Sequence, residues 1–359
     1  MNYTDFIVNN SYYNNQDLSQ IFIPLTSTTQ AITTSYIVNN GNYSNRDLNT
    51  IFSPLQWTAT SSPSGNWFSI ASDSTGQYLA AGGNNIYTSQ DYGNTWNQTS
   101  SLSGSFIFIA SDSTGQYLAA AITGGYIYTS QDYGITWTQT NAPNLAWSSI
   151  TSDSTGQYVV ASVFNGYIFR STDYGETMNQ LNSPSVNWYK VVSNSTGQYL
   201  AAIQSSGYIY MSSDSGNTWN QTNAPNSTWT SITINSTGQY LAADDRNHIY
   251  TSQDYGITWT QTNAPNLAWS SITSDSTGQY LAAAVNPGHI YSSQDYGSTW
   301  SQMSSPSGNW TIVVSNSTGQ YLAAALYLYN IYTYNIANPT GFIVNGVGDL
   351  NTIFNPIPR

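Results

Sequence analysis

The sequence predicts an all-β protein, a ring of seven four-stranded sheets, and three observations carry that prediction. The phrase Ser-Thr-Gly-Gln-Tyr occurs seven times, its glycine at Gly76, Gly115, Gly156, Gly197, Gly238, Gly278 and Gly319, in steps of 39 to 41 residues. A second phrase, Ser-x-Asp-x-Gly-x-Thr-Trp, follows each of the first six, from Ser89–Trp96 to Ser293–Trp300, with Met178 closing the third copy. The seventh repeat has Trp310, Gly319 and Ile331-Tyr332-Thr333 but no such phrase, and the missing piece stands at the other end: Trp57 precedes Trp67 by the same ten residues that separate Trp300 from Trp310. A period near 40 with two turn signals per period marks a four-stranded blade, so the expectation is a seven-bladed β-propeller closed by an N-terminal strand.

Each repeat divides into strands in the same order. In the third, Trp147 to Ser152 is strand A, Asp153-Ser154-Thr155-Gly156 turns, Tyr158 to Val163 is strand B, and Asn165-Gly166 turns again. Tyr167 to Ser171 is strand C, and the Asp173-Tyr174-Gly175 turn leads to strand D near Met178 to Leu181. The runs are short, rich in β-branched and aromatic residues, and punctuated by Gly and Asn. Residues 55–335 thus form the propeller, with its seventh blade completed by residues 55–60. That closure ties the ends together and removes an open sheet edge.

The Ser-x-Asp-x-Gly-x-Thr-Trp phrase resembles the Asp-box, or BNR, repeats of sialidase-like and sortilin-like propellers. The resemblance spans residues 57 to about 334. It implies that Asp91, Asp132, Asp173, Asp214, Asp254 and Asp295 are structural, each holding a hairpin between strands C and D away from any active site. Elementary physics agrees, since a short carboxylate can accept N–H bonds inside its own turn and glycine supplies positive φ. The twelve tryptophans are all used at the box end or the start of strand A, with Met178 and Phe106 at the two remaining positions, which leaves none for an aromatic glycan platform.

The topology sorts the turns by face. The A–B and C–D turns, with the repeated phrases, share one face; the variable B–C loops share the other, where specificity is expected. There the fifth repeat is unusual, reading Asp244-Asp245-Arg246-Asn247-His248 where other repeats carry Gly, Asn and Ser. His248 and His289 both precede Ile-Tyr at the start of strand C in adjacent repeats. Two readings stand: tolerated surface substitutions, or a small polar-ligand or ion site formed by Asp244, Asp245, Arg246, His248 and His289.

A sialidase-like hydrolase would require, by the resemblance, an arginine triad, a Tyr–Glu pair and an acid Asp. The chain has Arg46, Arg170, Arg246 and Arg359, two of them outside the repeats, and one glutamate, Glu176, inside a box turn. The Phe-Arg-Ile-Pro signature is absent, and so is the arginine-rich face of the photosystem II assembly factor of similar fold. Two suitably spaced free carboxylates are also hard to find among turn caps. The expectation is a protein that is not an enzyme and uses no metal or cofactor.

Composition bounds the partners. Lys and Arg number 5 against 17 Asp and Glu, for a net charge of −12, which argues against nucleic acid and anionic membranes. Cysteine is absent, so disulfides and thiolate chemistry are excluded. No apolar run is long enough to span a bilayer, and the N-terminus lacks the features of a secretory signal.

The ends carry a different repeat: Phe6–Leu25, Tyr36–Leu55 and Phe342–Ile357 share aromatic-Ile-Val-Asn followed by Asp-Leu-x-x-Ile-Phe-x-Pro. Residues 1–54 thus hold two copies and 336–359 a third. Each reads as a short strand and a one-turn helix capped by Asp17, Asp47 or Asp349. The apolar faces would be Leu18, Ile21 and Phe22; Leu48, Ile51 and Phe52; Leu350, Ile353 and Phe354. Units this small cannot bury a core alone, so they either clasp their own ring or pair between copies. The phrase resembles segments in surface and fibre proteins of large DNA viruses and phages. The expectation is a structural or surface-display subunit, a homo-oligomer, filament or lattice at a virion surface or outside the cell. The alternative is a lectin-like module binding glycan or a host surface protein through the B–C face; a glycoside hydrolase comes third.

Overall fold

The structure, a computed structural model, describes residues 57–104 and 107–335 and, before them, the backbone of three short strands. The chain divides into two compact units, one of them residues 55–337. In the other, Phe6–Val8 lies between Ile23–Pro24, antiparallel, and Ile37–Val38, parallel. Phe106 and every residue of the expected assembly faces (Asp17, Leu18, Ile21, Phe22, Asp47, Leu48, Ile51, Phe52, Asp349, Leu350, Ile353 and Phe354) lie outside the described residues.

Residues 57–335 form an all-β propeller of four-stranded antiparallel blades. In the fourth repeat the order from the axis outward is Trp188–Ser193, Leu200–Gln204, Ile209–Ser212, Asn220–Gln221. Five such sheets stand separately. The other eight strands, from Ile107–Ser111 to Asn179–Gln180, are joined into one sheet, where separate sheets were expected. The junction is small: Leu118–Gly125 runs past its own partner Ile107–Ser111 and pairs Thr123 with Ala146 and Gly125 with Leu145. The sheet that starts at Trp310–Ser315 takes its outer strand from the beginning of the ring, with Tyr332 opposite Ala59 and Thr333 opposite Thr58.

Second strands are buried along their length because their residues pack on both faces; Leu79-Ala80-Ala81 is typical, and alanine lets neighbouring sheets approach. Strand-A tryptophans fill the space between: Trp147, Trp188 and Trp310 are 0% exposed. Each meets the ring of a strand-C aromatic edge-on, as in Trp188–Tyr210 at 5.3 Å. The cores lie between consecutive sheets; one joins Val160, Ile168 and Leu181 to Trp188, Val191 and Leu200. Each A–B turn needs its glycine. Gly156 has φ +79°, and a Cβ there would sit 2.6 Å from Cβ of Tyr117 in the preceding repeat.

Neighbouring repeats are also tied at their A–B turns. Ser74 N–H donates to Ser113 O, Ser113 to Ser154, Ser154 to Ser195, Ser195 to Ser236, Ser236 to Ser276, Ser276 to Ser317, and Ser317 back to Ser74. Seven backbone hydrogen bonds thus close a circle about the axis.

Candidate functional site

The six box carboxylates are engaged within their own turns. In Asp132, Oδ1 accepts from Ser130 Oγ at 2.8 Å and from Thr136 N–H at 2.8 Å, while Oδ2 accepts from Thr136 Oγ1 at 2.6 Å. Asp91, Asp173, Asp214, Asp254 and Asp295 repeat that arrangement. Partial burial alone would raise these carboxyls, but the hydrogen bonds from Ser and Thr outweigh it and hold all six below the usual carboxylate value.

The residue after the box Asp is left-handed, φ 61° at Tyr133, and its ring packs on the tyrosine of the Ser-Thr-Gly-Gln-Tyr phrase in the preceding repeat, 4.7 Å from Tyr78. Where that residue is Ser215, Arg170 donates from its guanidinium to the Ser215 carbonyl instead. Arg170 and the boxes thus hold repeats together. Asp73, Asp112, Asp153 and Asp275 serve the A–B turns; Asp153 Oδ1 accepts from Tyr158 N–H at 3.0 Å.

The unusual fifth-repeat loop splits into separate jobs. Asp245 holds its own loop, accepting from His248 N–H at 2.7 Å, Asn247 N–H at 3.1 Å and Ser227 Oγ at 2.9 Å. The His248 ring stands 3.3 Å from the same carboxylate. His289 is committed elsewhere, its Nδ1 against Ser305 O at 2.8 Å. Arg246 is exposed with φ 74°. Among the described residues no three His, Asp or Glu side chains converge as a metal site.

Asp244 is different. It ends strand Leu241–Asp244 at 0% exposure, at a position where the other second strands carry Gly82, Ala121, Ser162, Ile203, Ala284 and Ala325. Thr230 Oγ1 donates to its Oδ1, and its Oδ2 is buried without a hydrogen-bond partner. Its charge is felt by Lys190, on the inner strand of the adjacent sheet. Lys190 donates from Nζ to Ser231 Oγ at 2.9 Å. Burial pushes the Asp244 carboxyl up to about 7, with hydrogen bonding and Lys190 pulling the other way. Burial likewise lowers the Lys190 ammonium to about 8, against the attraction of Asp244. Lys190 opens partly onto the axial channel but is enclosed by protein around it.

That channel has a volume of about 570 Å³ and is walled by the inner strands of every repeat. Tyr189, Lys190, Thr230 and Ser231 line it, together with Phe164 from a B–C loop. Tyr189 and Phe164 are each 44% exposed, and Arg246 lies close enough to act on the Tyr189 phenol. Lys190 is not among the residues that the repeat pattern singles out. The signal was there: it is the only lysine in the chain and stands where aligned repeats carry Ser69, Ser149, Ser231 and Ser271.

The BNR-Asp box repeat family matches residues 127–140 and 249–262, both spanning a box and its flanking strands. No curated protein matches the sequence. Several solved structures share the fold. The β-propeller domain of Cps50 (Swd1) from Myceliophteria thermophila superposes with a TM-score of 0.62 at 16% identity, covering 78% of this chain and 100% of that one. YCF48 from Cyanidioschyzon merolae gives 0.62 at 13% identity, covering 78% and 99%. A GH74 xyloglucanase from Xanthomonas campestris gives 0.61 at 15% identity over 79% of this chain and 54% of its own. Enzyme and non-enzyme thus share the architecture, and such identities speak for fold alone. The chain carries BNR-Asp box repeats on a β-propeller of four-stranded blades.

Proposed function

We propose that the protein is a non-enzymatic, seven-bladed propeller that acts as a displayed structural module, assembled with copies of itself through its terminal phrases at a virion surface or in an extracellular filament. The observation that carries this reading is the closure of the ring on Thr58–Ala59. The hydrogen-bonded circle therefore needs none of residues 1–54 or 338–359, yet the Asp-Leu-x-x-Ile-Phe phrase occurs there three times. The seven-link circle of A–B turns supports counting the eight-stranded sheet as two blades joined through Thr123 and Gly125. The engagement of the box carboxylates in their own turns supports a non-enzymatic role.

Light scattering and negative-stain imaging test the assembly. The full chain should form ordered oligomers, and the triple variant Ile21→Asp, Ile51→Asp, Ile353→Asp should fall to a folded monomer of 39.2 kDa. A monomeric parent chain sinks the assembly reading.

The cluster of Phe164, Tyr189, Lys190 and Arg246 favours a second reading, a binding module that takes glycan or protein on the B–C face. A glycan array probed with the full chain tests it, and turnover of xyloglucan or a sialoside would replace both readings with a hydrolase.

A further inference from the structure

Two departures from the repeat meet at one place. Four repeats use a serine at the second position after the strand-A tryptophan, and it latches the next sheet; Ser149 Oγ accepts from Val191 N–H at 3.2 Å. The fourth repeat has Lys190 there, and its neighbour supplies Asp244 at a position that is Gly, Ala, Ser or Ile in the others. A lone amine or carboxylate in this wall would be costly, and together they offset one another. Structure alone, however, is served equally well by the serine and alanine of the other repeats.

Lys190 also keeps capacity in reserve. Of its three N–H groups one has a partner, Ser231 Oγ, while the side chain borders a channel of about 570 Å³. That volume suits a small molecule. Ser148, Thr230, Ser270 and Thr311 line the same channel, their hydroxyls bonded to protein groups and each still able to accept from a ligand.

We propose that Lys190 is a carbonyl-capturing amine, and that the channel admits a small hydroxylated aldehyde, such as an open-chain sugar, which condenses with Nζ to a reversible imine. The neutral nitrogen attacks the carbonyl carbon, the C=O electron pair moves to oxygen, and protons lost from nitrogen leave with that oxygen as water. The step balances with no other reagent. Burial of the amine favours it by disfavouring the charged ammonium, lowered here to about 8. Asp244 acts on Lys190 only through its charge, which favours the ammonium and so tempers the amine's reactivity. The other charged or titratable groups around the pair are Asp245, Arg246 and Tyr189.

This goes beyond the assembly and surface-binding readings and can fail without touching either. The full-length protein is treated with glyceraldehyde and borohydride at pH 7.5, and peptide mass spectrometry reads the reduced adduct at the single lysine. The native chain should be modified at Lys190 at least ~10-fold faster than the same chain in denaturant, where the amine regains its ordinary pKa. Asp244→Asn, which removes a charge that favours the ammonium, should shift the midpoint of the pH–rate profile downward. Thermal melting shows whether this variant is folded. If it is not, the native-against-denatured comparison on the parent chain decides alone. Slower modification of Lys190 in the native chain than in denaturant overturns the proposal. So does an unmoved profile in folded Asp244→Asn.

Discussion

Ser317 donates its backbone N–H to the carbonyl of Ser74 at 3.0 Å and its hydroxyl to the same oxygen at 2.7 Å. These residues are 243 positions apart, and their contact is the last link of a circle whose other six join consecutive repeats. A second closure lies at the periphery, where Trp57 stacks between Trp310, 5.8 Å away, and Tyr334, 5.5 Å away, at 6% exposure. Closing the ring across so long a chain is entropically costly, so the contacts at the seam must be strong.

Trp57→Ala should therefore destabilise the fold by about 3 to 5 kcal/mol, the range for removing a buried large aromatic. Trp57→Phe should recover more than half of that loss. Chemical denaturation monitored by circular dichroism checks both. A loss under about 1 kcal/mol for Trp57→Ala would mean that the axial circle holds the ring without the outer strand.

The boxes set a pH dependence of definite sign. All six box carboxyls are held below 3.8 in the folded state, so their contribution is present above that value and is lost as pH falls through the lower folded values. Melting temperature should change little from the boxes between pH 7 and 5, then drop below about pH 4. Asp132→Asn should remove one share of that drop and cost about 1 kcal/mol at pH 7, a modest figure because the turn is largely solvent-exposed. An acid limb of the same depth in an all-six Asp→Asn variant would assign the effect to other groups.

The repeat made the architecture legible. Seven glycines at a fixed step need a left-handed turn each time, φ +79° at Gly156, and Trp57 ten residues before Trp67 located the closing strand. The junction between Leu118–Gly125 and Leu145–Ser152 was not legible, because it depends on a strand continuing past its own hairpin partner through Thr123 and Gly125. The site was half legible. Asp244 stood out as a charge in a loop of Gly, Asn and Ser, but its side chain is in the core, while Asp245 caps the loop and His289 answers to Ser305. Lys190 was hidden by position: its hydrogen bond to Ser231 and the charge of Asp244 acting on it both come from the neighbouring sheet, 41 and 54 residues away in the chain.

Lys190 and Asp244 can be separated from the fold by a double-mutant cycle. Lys190→Ser alone leaves a buried carboxylate without its counter-charge, and Asp244→Ala alone leaves the amine without its own. Each should cost about 2 to 3 kcal/mol at pH 7.5, less than a fully buried pair because Lys190 is partly open to the channel. The double variant restores residues that other repeats use and should be within about 1 kcal/mol of the parent or more stable. The pH dependence has a fixed direction. Asp244 has its carboxyl raised from 3.8 to about 7, so the folded state favours the protonated form and its contribution is lost as pH rises through that interval. With its counter-charge gone, Asp244 should rise further, and the cost of Lys190→Ser should shrink between pH 7.5 and pH 5. Urea unfolding of the four proteins at both pH values measures the coupling. Additive losses with no change on acidification would show that the two charges do not act on one another.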